Sequence, residues 1–177
     1  IATGVYILYV DRYDGRTGVF LGSNLNHNTG TRRIYDLALA TDYRLPAVGA
    51  SPYSIALVYS CYSPSLDSIN YYYSADGGTT FMPSANVAKT GYYFRNVSIA
   101  YGRSNSASNG RYFFAWERVA SSTSRTGNIY TAHNLSTING TFSTPVCLDS
   151  ISTSMIGLCR YPSIAVQYSN TDNDSAS

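Results

Sequence analysis

Three arginines open three similar segments of the chain: Arg44-Leu-Pro-Ala-Val48, Arg95-Asn-Val-Ser-Ile-Ala100 and Arg160-Tyr-Pro-Ser-Ile-Ala165. A guanidinium stays charged at physiological pH and presents a planar fork of donors, so it grips a carboxylate through two hydrogen bonds at once. A second cluster, Ser74-Ala-Asp-Gly-Gly-Thr-Thr-Phe81, sets the carboxylate of Asp76 before two glycines. Asp accepts hydrogen bonds from backbone amides two residues on, and glycine takes positive φ. This run therefore makes a tight hairpin, with Asp76 accepting the backbone amides that close it. Other chemistry is thin. The sequence holds no phosphate-binding glycine loop, no Gly-x-Ser-x-Gly elbow and no Cys-x-x-Cys, and His27 and His133 stand apart. Neither a metal nor a cofactor is expected.

The elements that must position these residues are strands. Of 177 residues, 18 are Tyr and 14 Gly, while Lys89 is the only lysine and Glu117 the only glutamate. An amphipathic helix fills its wet face with Lys and Glu, whereas aromatic and β-branched residues suit pleated strands. An all-β fold follows. The 44% hydrophobic content excludes general disorder, and no apolar run approaches the roughly 20 residues of a membrane helix. A net charge of +2 provides no field for nucleic acid. Only 12% of residues are charged, about half the usual share, and Ser, Thr, Asn and Tyr supply the polar surface instead. That surface is expected outside the cytoplasm. Three cysteines leave an odd one. A disulfide between Cys147 and Cys159 across a Ser- and Thr-rich step is plausible, and Cys61, in an apolar alternating run, reads as a small buried residue.

The arginine-led segments belong to a longer repeat. After the first comes an alternating strand, Ser54-Ile-Ala-Leu-Val-Tyr-Ser60, and after the second its counterpart, Arg111-Tyr-Phe-Phe-Ala-Trp-Glu117. The next strands are Ile69-Asn-Tyr-Tyr-Tyr-Ser74 and Asn128-Ile-Tyr-Thr-Ala-His133. Both units then turn into Thr-Phe, at Thr80-Phe81 and Thr141-Phe142, with Pro83 and Pro145 close behind. Four short strands per unit of about 40–50 residues are the signature of a β-propeller blade. Residues 1–42 fit with their first strand missing: Val5–Val10 as second, Gly18–Leu21 as third and Arg33–Ala38 as fourth. The expected division is a partial blade at 1–42, blades at 43–93 and 94–158, and the start of another at 159–177.

The Ser74–Phe81 run resembles the Asp-box, or bacterial neuraminidase repeat, whose pattern is Ser-x-Asp-x-Gly-x-Thr followed by an aromatic residue. Ser74, Asp76, Gly78, Thr80 and Phe81 fill its defining positions; Ser136-Thr-Ile-Asn139-Gly140-Thr-Phe142 is a degenerate copy. The resemblance implies a sialidase-like propeller in which the box caps the turn between a blade's third and fourth strands, away from the ligand face. It also implies that Tyr43-Arg44-Leu-Pro46 stands where sialidases place an arginine that grips the substrate carboxylate, with Asp67 in the loop of the general acid. The sialidase arginine shortly before that acid is missing from Cys61-Tyr-Ser-Pro-Ser65. The family's nucleophilic Tyr, its partner Glu and its remaining arginines would lie on blades this chain does not contain.

The expectation is therefore a non-catalytic extracellular or cell-surface module of a bacterial propeller, serving binding, adhesion or scaffolding. The alternatives are part of an exo-sialidase or related glycosidase, and a subunit or passenger of a larger surface assembly. First strands line a propeller channel, so Arg44, Arg95 and Arg160 could ring one mouth and attract an anionic ligand or glycan. The opposing reading has each arginine paired with a nearby carboxylate. The tyrosines at 71–73 and 92–93 invite sugar stacking, against the plainer reading of packing between blades. Roughly three blades are fewer than a closed propeller needs, so the remaining blades are expected elsewhere in the same polypeptide or in a protein assembly.

Overall fold

The computed structural model describes residues 4–41, 54–62, 67–89, 92–102, 110–121, 123–124, 127–135, 141–149, 160–167 and 175–176. Every regular element among them is a strand. The alternation of aromatic and β-branched residues accounts for this, and Gly- and Asp-led turns delimit the strands.

Strands β1 (Tyr6–Tyr13) and β2 (Phe20–Gly30) form an antiparallel hairpin. Its turn is held by Asp14, whose Oδ1 accepts the amides of Arg16 and Thr17 at 2.9 and 2.6 Å. A first meander follows in chain order: β3 (Arg33–Thr41), β4 (Ile55–Tyr62), β5 (Ser68–Ser74) and the short β6 (Met82–Pro83). The two-residue β7 (Ala88–Lys89) pairs with the other end of β5. A second meander repeats the order with β8 (Tyr93–Gly102), β9 (Arg111–Val119), β10 (Gly127–His133) and β11 (Val146–Cys147). Finally β12 (Val166–Gln167) pairs with β13 (Ser175–Ala176). Among the described residues these sheets do not close into a barrel.

One strand sits elsewhere than its sequence position implies. Residues 33–38, read as the last strand of the first unit, belong to β3, which pairs along its length with β4 and so leads the first meander. Alternation identifies a strand without naming its neighbour. The strand expected to begin at Arg44 lies outside the described residues.

The hairpin, first meander and second meander stack as three layers. β4 is buried on both faces, which explains why it reads as a nearly continuous apolar run. Ala56 and Val58, with Ile69 and Tyr71 of β5, face the second meander and meet Phe114, Trp116 and Tyr112. Leu57, Tyr59 and Cys61, with Tyr72, face the hairpin and meet Leu8 and Leu25. Aromatic rings dominate the first interface: Tyr71 stands edge-on to Phe114 at 5.6 Å and to Phe142 at 5.3 Å. These are the favoured edge-to-face geometries. The tyrosines of β5 thus pack between layers, Tyr71 on one side and Tyr72 on the other.

Candidate functional site

The turn after β5 is closed by its own side chains. Ser74 Oγ donates to Asp76 Oδ1 at 2.7 Å and accepts the Gly78 amide at 2.8 Å. Asp76 Oδ1 also accepts the Thr80 amide at 2.8 Å, and Oδ2 accepts the Thr80 hydroxyl at 2.7 Å. Gly77 and Gly78 adopt φ of 69° and 85°, the left-handed backbone such a turn requires. The hairpin is fastened to this turn: Arg12 Nη1 donates to Thr79 Oγ1 at 2.6 Å, and Asn24 donates to the Gly78 carbonyl. Phe81 packs against the core between hairpin and first meander. The Thr80 amide, together with the Thr80 and Ser74 hydroxyls, holds the Asp76 carboxyl down at about 2. A carboxylate so ionised and so fully engaged organises the turn and has no proton to give.

Two of the three repeat arginines are placed next to Glu117, Arg95 by strand register and Arg160 by side-chain contact. Arg95 stands opposite Glu117 in the β8–β9 register, and Arg160 Nε lies 3.9 Å from Glu117 Oε1. Glu117 is only 2% exposed. Its other oxygen accepts from Asn96 Nδ2 at 2.6 Å, while the Asn96 amide donates to Asp36 Oδ2 at 2.8 Å. Ile164 N donates to Ser98 Oγ at 3.3 Å. The first meander, the second meander and residues 160–165 are therefore joined around the buried Glu117 carboxylate. Asn96 and Tyr161, each directly after its arginine, both adopt positive φ, 52° and 54°. This shared strained conformation marks Arg95 and Arg160 as equivalent positions.

Arg44 lies outside the described residues. The register gives Arg95 a different counterpart in the first meander. Glu117 pairs with Arg95, and its equivalent Ser60 pairs with Asp36. Asp67, at the start of β5, is 7% exposed. Its charge adds to the upward push on the Tyr62 hydroxyl, whose main cause is the hydrogen bond with Tyr93. Cys147 is a free thiol donating to Asp149 at 3.3 Å, and Cys159, the other half of the expected bridge, lies outside the described residues. Cys61 is free and buried, with Ser68 Oγ 3.2 Å from its sulfur.

Two clefts escaped the sequence. One, of about 420 Å³, lies between hairpin and first meander, where Tyr72 OH and His27 Nδ1 are 2.8 Å apart beside Tyr59. Burial, with the Arg32 charge, pushes the His27 imidazole below its ordinary value. The other, of about 430 Å³, lies between the two meanders. There the Arg118 guanidinium is sandwiched between Tyr92 and Tyr130, 4.1 and 4.0 Å from their ring centroids. Among the described residues no three His, Cys, Asp or Glu side chains gather in a metal-binding group, and no helix is long and apolar enough to cross a membrane.

No family model, curated protein or solved structure matches the chain.

Proposed function

We propose that the chain is a set of consecutive blades from a sialidase-like Asp-box β-propeller, exported by a bacterium and acting as a non-catalytic binding module. The observation that carries this reading is the order of the layers. Two antiparallel meanders with the same strand order lie face to face, their first strands β3 and β8 side by side and residues 160–165 against β8. Radially arranged blades bring their innermost strands together in this way. The self-closed turn at Ser74–Phe81 supports it, since such a box is structural in the family it resembles.

Binding is favoured over hydrolysis because the carboxylates of the box turn and of the Glu117 cluster are committed. Asp76 is saturated within its turn, and Glu117 is buried with Asn96 and Arg160. General acid catalysis needs a carboxyl with a proton to donate at working pH, within reach of the leaving oxygen. The test pairs two assays on the protein. A fluorogenic sialoside should stay intact while a glycan array returns bound sugars. Turnover that disappears in Arg44→Ala would overturn the reading in favour of a sialidase.

A further inference from the structure

We infer that the groove between β7 and the β9–β10 pair is a binding site for a carboxylated saccharide, with Arg118 as its anchor. The inference rests on the binding-module reading and gives that module a ligand class and a location. Arg118 stands in β9 opposite Asn128, half-buried, with its guanidinium clamped between the rings of Tyr92 and Tyr130. Stacking fixes the plane of the guanidinium and leaves its edge, where the N–H donors lie, unobstructed by the rings. Those donors have no acceptor and no carboxylate partner among the described residues.

A second observation points the same way. Trp116, which lines the same groove, is 1% exposed, and its indole Nε1 has no hydrogen-bond partner among the described residues. Buried donors are nearly always paired, so unsatisfied ones mark a place for an acceptor. Lys89, the sole lysine, adds a second positive charge at the groove's rim. Two cations and no carboxylate in the lining select an anionic ligand, over a Trp116 whose indole N–H lacks an acceptor.

The remainder of the lining separates a sugar from other anions. Over the buried Val87 and Phe94, Pro145 and the exposed Tyr92 present apolar and ring surface, against which the C–H face of a pyranose packs. A carboxylate on that pyranose reaches the planar fork in bidentate fashion. A volume of about 430 Å³ falls within the range of small-ligand sites. An acidic peptide would instead draw on backbone pairing along a strand edge.

Titration calorimetry of the full chain at low salt tests this with trigalacturonic acid, its methyl-esterified form and triglutamate as probes. Trigalacturonic acid should bind, and both the ester and triglutamate should bind at least tenfold more weakly. Arg118→Gln should lose tenfold or more with its unfolding transition in place. Arg118→Lys, which keeps the charge and loses the fork, should fall in between. If Arg118→Gln fails to fold, Tyr92→Ala at the exposed ring supplies the loss of clamping instead. No heat with trigalacturonic acid, equal affinity for the ester, tighter binding of triglutamate, or an unaffected Arg118→Gln would each overturn the proposal. A glycan from an array that binds wild type and Arg118→Gln alike would sink this site while leaving the binding-module reading intact.

Discussion

Asp76 and Thr80 meet twice, the carboxylate taking the Thr80 amide at 2.8 Å and its hydroxyl at 2.7 Å. Because Ser74 occupies the same carboxylate and the Gly78 amide, the turn is specified by side chains rather than by the strands it joins. Asp76→Ala removes every one of the carboxylate's bonds at once and should lower stability by about 1–2 kcal/mol in urea unfolding. Asp76→Asn keeps an acceptor oxygen and should lose less.

The same carboxylate makes stability depend on acid. Its folded value, about 2, lies below the ordinary 3.8, so the unfolded chain binds the proton more readily. The contribution is complete above about pH 4 and is lost as pH falls from there towards 2. Discounted for its partial exposure, it amounts to about 1 kcal/mol. The unfolding free energies of wild type and Asp76→Asn from urea titration should differ less at pH 2.5 than at pH 7, by about two thirds of that amount.

Glu117 joins three segments through Asn96 and Arg160. Glu117→Ala should cost about 2–3 kcal/mol, because it strands the Asn96 amide and a partly buried guanidinium. Glu117→Gln can still accept from Asn96 and should cost under half of that. A double-mutant cycle with Asn96→Ala should return a coupling of at least about 0.5 kcal/mol.

Phe114 is 1% exposed and lies between the edges of Tyr71 and Phe142. Phe114→Ala opens a cavity between the two meanders and should destabilise by about 3–5 kcal/mol. The loss should be shared cooperatively by both meanders, so hydrogen exchange should rise in β4 and β5 as well as in β9.

Much of the fold was legible in the residues. The strand alternation of β4, β5, β9 and β10 and the Asp-Gly-Gly turn follow from period and turn chemistry, which are local. Pairing is not local. Nothing in Arg33–Thr41 itself says that its partner is β4 rather than β2, and this changed which residue stands opposite Ser60. The site divided along the same line. Arg95 and Arg160 stood out by their repeated neighbours, but the placing of Arg95 opposite Glu117 depends on the β8–β9 register, and the Arg160–Glu117 contact spans 43 residues. Arg118 carried no signal, because Tyr92 and Tyr130 become its neighbours only when β8, β9 and β10 align.

The central claim is that this module holds glycans without cutting them. Its most direct test incubates the chain with a panel of sialylated, uronate-bearing and neutral glycans, then reads retained and released sugars by mass spectrometry. Intact glycans retained on the protein, with no free sialic acid, are the predicted result. Free sialic acid, or no retention of any glycan, would contradict it.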